Sequence, residues 1–139
     1  MIRKIITLLL CLGGLASAIG TASAYPSTDR HIVVNLKEQK LYSYRGDQVT
    51  FTTNLSTGRK GMPTPRGEYH VSEKDVHHTS SIYGSSMPYF MRLSGEPFGI
   101  HYGYNPGYPA SHGCIRVGSL KDAAFLFQLT PEGTHVTIE

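Results

Sequence analysis

The sequence predicts one mainly β domain with a single amphipathic helix, on three observations. Short runs rich in Val, Ile, Tyr, Thr and Phe alternate with turn residues along most of the chain. One segment repeats its apolar residues at the helical period. The chain is 139 residues long, 40% apolar and 17% charged. That length suits one core, and that composition excludes a disordered tail, a collagen-like rod and a charge-laced coiled coil.

The first 24 residues stand apart from this domain because they read as an export signal. Arg3 and Lys4 give a basic start, an uncharged and mostly apolar run follows from Ile5 to Gly20, and Ala22-Ser23-Ala24 offers the small residues that signal peptidase needs. The expected cut falls after Ala24, with Ala16-Ser17-Ala18 as the second option. The run is shorter than the roughly 20 residues that span a bilayer, which argues against a retained anchor. Cys11 would suit a lipoprotein signal, but Leu10 stands where a small residue should precede it. Removing the signal leaves residues 25–139 as the domain and takes Lys plus Arg from 13 to 11 against 10 Asp plus Glu. The net charge is then near +1, with no basic stripe to hold nucleic acid against physiological salt.

His31 to Leu36, Leu41 to Tyr44 and Gln48 to Ser56 read as three strands of an antiparallel meander, separated at Lys37-Glu38-Gln39 and Arg45-Gly46-Asp47. Gly58 to Gly67 reads as a loop, since Pro63 and Pro65 cannot donate to a ladder, and leads into a strand from Glu68 to Ser72. Asp75 to Met87 has neither a two-residue nor a helical period and is expected to be a structureless lid or substrate-binding loop. Tyr89 to Leu93 and Phe98 to Tyr102 return to strand composition. Leu120, Ala123, Ala124 and Phe127 define the apolar face of the helix, which Ser119 caps and Pro131 and Gly133 stop. Thr134 to Ile138 is the last strand.

Of two cysteines, Cys114 alone survives processing, so an internal disulfide framework is excluded. For an isolated Cys the default is a small buried hydrophobe, but its neighbours argue otherwise. If Ser111 to Val117 is extended, His112, Cys114 and Arg116 share one face. Two potential cations beside one sulfur favour thiolate over thiol, and the thiolate is the attacking species. The loop holding Pro106, Gly107 and Pro109 would fold His101 back beside that sulfur from an adjacent strand, as general base and then acid. The amides of Gly113 and Cys114 would form an oxyanion hole.

Ser111-His112-Gly113-Cys114-Ile115-Arg116 resembles the catalytic signature of the L,D-transpeptidases, the YkuD-domain family of bacterial cell-wall enzymes. Five more blocks fit the family pattern in order: Ser56-Thr57-Gly58-Arg59, Pro63 to Tyr69, Met87 to Leu93, Gly99-Ile100-His101 and Gly133 to Ile138. The resemblance implies β-sandwich-like mixed sheets with the helix after the catalytic Cys. It also implies Cys114 as nucleophile, His101 as base, and His112 and Gly113 orienting substrate or stabilising the oxyanion. Arg116 would hold a carboxylate or support the site. The implied reaction attacks the third residue of a peptidoglycan stem peptide, expels the terminal D-residue, and passes the acyl group to an amine. That amine belongs to a neighbouring stem or to a lipoprotein lysine; with water instead, the site is an L,D-carboxypeptidase or endopeptidase. No metal or cofactor is required. The expected state is a monomer in the periplasm or cell envelope.

Plainer readings stand beside these. His101, His112 and Cys114 would make a zinc set, but no CxxC or HExxH spacing accompanies them. His77 and His78 read as solvent-facing loop residues, with substrate contact as the lesser alternative, and His31, His70 and His135 as strand residues at the sheet surface or edge. Tyr89 and Arg92 suit either substrate contact or structure. Tyr102, Tyr104 and Tyr108 are surface aromatics unless they wall the cleft, and Ser111 supports His101 or the turn. A non-catalytic peptidoglycan-binding module is the alternative outside enzymes, and the intact His101, Ser111, His112, Gly113 and Cys114 set argues against it.

Overall fold

A computed structural model describes residues 29–139, so the proposed signal at residues 1–24 lies outside the described residues. The β-favouring runs become β1 (Arg30–Asn35), β2 (Lys40–Arg45), β3 (Gln48–Ser56), β4 (Gly67–Thr79), β5 (Ser86–Leu93), β6 (Gly99–Tyr102), β7 (Ile115–Val117) and β8 (His135–Ile138), with α1 (Leu120–Leu129) before β8. The meander of β1, β2 and β3 forms as the turn residues predict. Gly46 takes φ 57° in its second turn, a conformation glycine adopts without steric cost.

The strands close into a ring in the order β1-β2-β3-β7-β6-β5-β4-β8. Two mixed sheets share β3 and β4, which pass from one sheet into the other. The pairs β1·β8 and β6·β7 are parallel and the others antiparallel. Alternate residues point inward: Ile32 and Val34, Ile115 and Val117, and Val136 and Ile138 are all buried. They join Leu41, Leu55, Val71, Leu93 and Ile100 in one core.

The sequence places α1 correctly but not its inner face. Ser119 caps it, accepting from the Asp122 amide at 3.2 Å. Ala123 and Leu126 are the buried residues, Phe127 is partly buried, and Leu120 is 51% exposed. The segment is apolar on most sides, so periodicity leaves the choice of stripe to packing against β5, β6 and β7. Lys74 holds the other end, donating to the Phe127 carbonyl at 2.6 Å where the helix dipole favours a cation.

The expected loop from Asp75 to Met87 is instead a hairpin. β4 continues to Thr79, pairing Asp75 with Phe90, His78 with Met87 and Thr79 with Ser86, and leaves residues 80–85 as the turn. This arm runs beyond the core, with Val76 38% exposed, so neither face needs to be apolar and no alternation marks it. Pro88 is accommodated because β5 pairs with β6 only at Met91 and Arg92, leaving an edge beside it.

Leu126→Ala should lower unfolding free energy by about 2–5 kcal/mol, the usual cost of a cavity at a fully buried leucine. Leu120→Ala should change it by less than about 0.5 kcal/mol. Urea denaturation of both variants checks the assignment of the buried face.

Candidate active site

Cys114 lies immediately before β7, and His101 lies on β6, which runs parallel beside it with Ile100 opposite Ile115 and His101 opposite Arg116. A parallel pair needs a long crossover, here the loop of residues 103–114. That loop is fixed by the end of β3 and the segment after it. Ser56 Oγ donates to the Tyr108 carbonyl at 2.8 Å, and the Ala110 and Ser111 amides both donate to the Thr57 carbonyl at 3.0 Å. Thr64, 3% exposed, accepts from the Gly58 amide at 2.9 Å and donates to the Gly113 carbonyl at 2.8 Å. Gly58 makes this clasp possible, since a Cβ there would lie 2.2 Å from the Met62 carbonyl oxygen.

Only Ile115–Val117 of the expected longer strand is regular. Gly113 sits at φ +123°, a conformation that favours glycine, and turns the chain before Cys114. Ser111 supports that turn, not His101: its hydroxyl donates to the Cys114 carbonyl at 2.5 Å and accepts from the Gly113 amide at 3.1 Å. The Gly113 amide is therefore committed to Ser111 and does not stand free as an oxyanion donor. His112, Cys114 and Arg116 nevertheless line one cleft of about 520 Å³, together with His101 and Arg92.

The electrostatics correct one expectation. Burial raises the Cys114 thiol pKa, and the opposing Gly99 amide hydrogen bond, Arg116 and Arg92 do not reverse it. Burial also lowers His101 to about 4, opposed by its backbone hydrogen bond and assisted by Arg116 and His78. The resting pair is thus neutral thiol and neutral imidazole. His101 is 4% exposed; Nδ1 is 2.6 Å from the Tyr102 carbonyl oxygen, which assigns the proton to Nδ1. Nε2, the lone-pair nitrogen, is buried without a hydrogen-bond partner.

The remaining residues divide. Arg92 lines the cleft but is paired, Nε to Glu73 Oε2 at 2.9 Å. Arg116 reaches the Tyr104 carbonyl at 3.5 Å and, among the described residues, has no carboxylate within 4.0 Å. Tyr89 is not in the cleft lining: its backbone takes φ 57°, and its ring packs edge-on to Phe127 at 5.6 Å on the helix side. Tyr102 contributes its carbonyl to His101 while its ring packs on the core. Tyr104 and Tyr108 are exposed outside the lining. Among the described residues no three His, Cys, Asp or Glu side chains come together as a metal site.

The segment expected to be a lid or substrate-binding loop lines the cleft, as a hairpin instead of a structureless loop, and sequence reasoning did not single out Tyr83 in it. Tyr83, in the hairpin turn, lays its ring against His112 at 4.6 Å. His78 stacks on Phe90 at 4.1 Å and lines the cleft, while His77 is exposed as expected. A larger polar groove of about 680 Å³ between the β2–β3 region and the start of α1 contains neither Cys114 nor His101.

Residues 29–138 match the YkuD family, the L,D-transpeptidase catalytic domain, and the chain belongs to it. YciB of Bacillus subtilis (strain 168) is 29% identical over 125 residues, covering 77% of this chain and 64% of YciB. An Enterococcus faecium L,D-transpeptidase structure is 27% identical with a TM-score of 0.72, covering 80% of this chain and 50% of that one. A Stackebrandtia nassauensis L,D-transpeptidase, 23% identical with a TM-score of 0.73 and covering 80% of this chain and 55% of that one, shares the fold. The chain spans less than two thirds of the length of each of these proteins.

Two pH predictions follow from the neutral pair. Iodoacetamide should alkylate Cys114 of the free protein with a rate that climbs about tenfold per pH unit through neutrality, because thiolate is the reactive form; a plateau from pH 5 to 8 would indicate a resting ion pair. Separately, His101 titrates at about 4 when folded against 6.5 ordinarily, so the unfolded chain takes up its proton first on acidification. Stability is full above the ordinary value and should fall by about 3 kcal/mol as pH drops through this interval. Chemical denaturation across pH, with His101→Gln as the flattened control, measures it.

Proposed function

We propose that this protein is a cysteine-dependent acyltransferase that joins peptidoglycan stem peptides by 3-3 cross-links through a Cys114 thioester. The observation that carries the reading is the shared cleft holding a half-buried thiol and a buried imidazole whose Nε2 has no partner. A group so placed is short of one proton donor, and the thiol of an attacking cysteine supplies it.

Substrate seating starts the reaction. The S–H proton passes to His101 Nε2 as the sulfur attacks the carbonyl of the third stem residue, and the Tyr102 carbonyl supports the imidazolium through Nδ1–H. His101 then gives the proton to the departing amine of the terminal D-residue. An acceptor amine attacks the thioester and releases the sulfur; it belongs to a diamino acid of a second stem or to a protein lysine. Arg116, without a carboxylate of its own among the described residues, is the cation assigned to a substrate carboxylate. His112, exposed beside Tyr83, contacts the substrate as it seats.

The protein acts in this reading as an exported monomer of the periplasm or cell envelope. The signal-like start supports export, and the closure of the strands into a ring, which leaves only partial edges such as that beside Pro88 among the described residues, supports a monomer. An exported lone thiol is exposed to oxidation, so full activity would require a reducing partner.

Incubating the protein with purified muropeptides and weighing the products tests the proposal: new dimers mean transfer, and loss of the terminal residue alone means hydrolysis. Cys114→Ala should abolish turnover, a loss of at least about 10³-fold, while thermal unfolding stays near that of the parent. Equal activity of variant and parent would refute the nucleophile assignment.

A further inference from the structure

The cleft contains a second imidazole that the proposed mechanism does not use. His78 is on β4, stacked on Phe90 with ring centroids 4.1 Å apart and planes 13° apart, and its side chain is 18% exposed. Nδ1 lies 3.5 Å from Asp75 Oδ2, an ion-pair distance. With Nδ1 turned to that carboxylate, Nε2 is the nitrogen left for the cleft that His78 shares with Cys114 and His101. Asp75 is itself oriented, its Oδ1 accepting from the His77 amide at 3.0 Å.

We infer that His78 is the base for the incoming acceptor, taking a proton from the primary ammonium group that resolves the thioester. This rests on the acyltransferase reading. Such an acceptor arrives as R–NH₃⁺ and must lose a proton before nitrogen has a lone pair to attack with. Arg116, which lines the cleft with no carboxylate partner among the described residues, disfavours a cation there. The other titratable groups around the cleft, besides Cys114 and the two arginines, are His101, which the proposed mechanism assigns to the sulfur, His112, whose ring lies against Tyr83, and Tyr83 itself. His78 is the imidazole there that is backed by a carboxylate.

The protons balance. One passes from R–NH₃⁺ to His78 Nε2, leaving R–NH₂ and an imidazolium facing Asp75. Nitrogen attacks the thioester carbonyl, the C–N bond forms, and the C–S bond breaks. The second nitrogen proton reaches the departing sulfur through His101, restoring the thiol, and His78 releases its proton to water.

The test loads the full protein with a stem tetrapeptide, follows the acyl-enzyme by intact mass, and resolves it with two nucleophiles. A primary alkyl amine is an ammonium at pH 7, whereas hydroxylamine is already neutral. His78→Phe keeps the ring on Phe90 and should slow resolution by the alkyl amine about 100-fold, within the range for losing a general base. Acylation of Cys114 and resolution by hydroxylamine should stay within about threefold of the parent, since neither needs that base. Asp75→Asn, which keeps the volume and an acceptor for His77, should show a smaller loss confined to the alkyl amine, and serves if His78→Phe does not fold. Equal slowing with both nucleophiles means a structural role and overturns the inference, as does undiminished resolution by the alkyl amine. A parent that never gains the acyl mass overturns the Cys114 reading itself, a failure distinct from either.

Discussion

His101 donates from Nδ1 to its neighbour's carbonyl while Nε2 lies buried and unpaired in a residue that shares a cleft with Cys114, and much of the structure serves to keep it so. A buried polar atom without a partner is costly to a fold, and the backbone around it is paired on both sides, β6 lying between β5 and β7. The parallel pairing of β6 and β7 sets the imidazole and the sulfur on neighbouring strands. The Gly99 amide meets the sulfur from the same strand that carries the histidine. Desolvation favours the uncharged form of both groups.

The cleft has a tied floor and a freer roof. Its floor is laced by Ser56, Thr57, Thr64 and Ser111 through backbone carbonyls and amides. Its roof is the far end of the β4–β5 hairpin, where Ile82 and Tyr83 are exposed and the Tyr83 ring lies against His112. The charges are divided in the same way. Arg92 is neutralised by Glu73 and lies over Phe90, whereas Arg116 reaches only a carbonyl.

What was legible in the sequence follows from which forces have a local signature. Strands β1 to β3 are bounded by turn residues and half-buried, so composition and alternation reveal them. The helix limits follow from Ser119 and Pro131. That the strand of His101 lies beside the one Cys114 leads into was legible because a loop rich in Pro and Gly joins two strand-like runs. Other features depend on surroundings that spacing does not carry. Counting cations near Cys114 suggested a thiolate, but the water removed from the sulfur outweighs them. The β4–β5 arm lacks alternation because no core lies beneath it. Tyr89 faces the helix because its backbone turns left-handed, which no neighbouring residue announces.

The ring closes between the first and last described strands. β8 fits between β1 and β4, and the Leu36 amide and Glu139 carbonyl join at 2.8 Å while the Glu139 amide returns to Val34. Every other element precedes β8 in the chain, so before it arrives β1 and β4 both present unsatisfied hydrogen-bonding rims. Assembly is therefore governed by contacts far apart in sequence, the regime in which folding is slow and cooperative. A partly synthesised chain stays open along that seam until β8 is in place between β1 and β4.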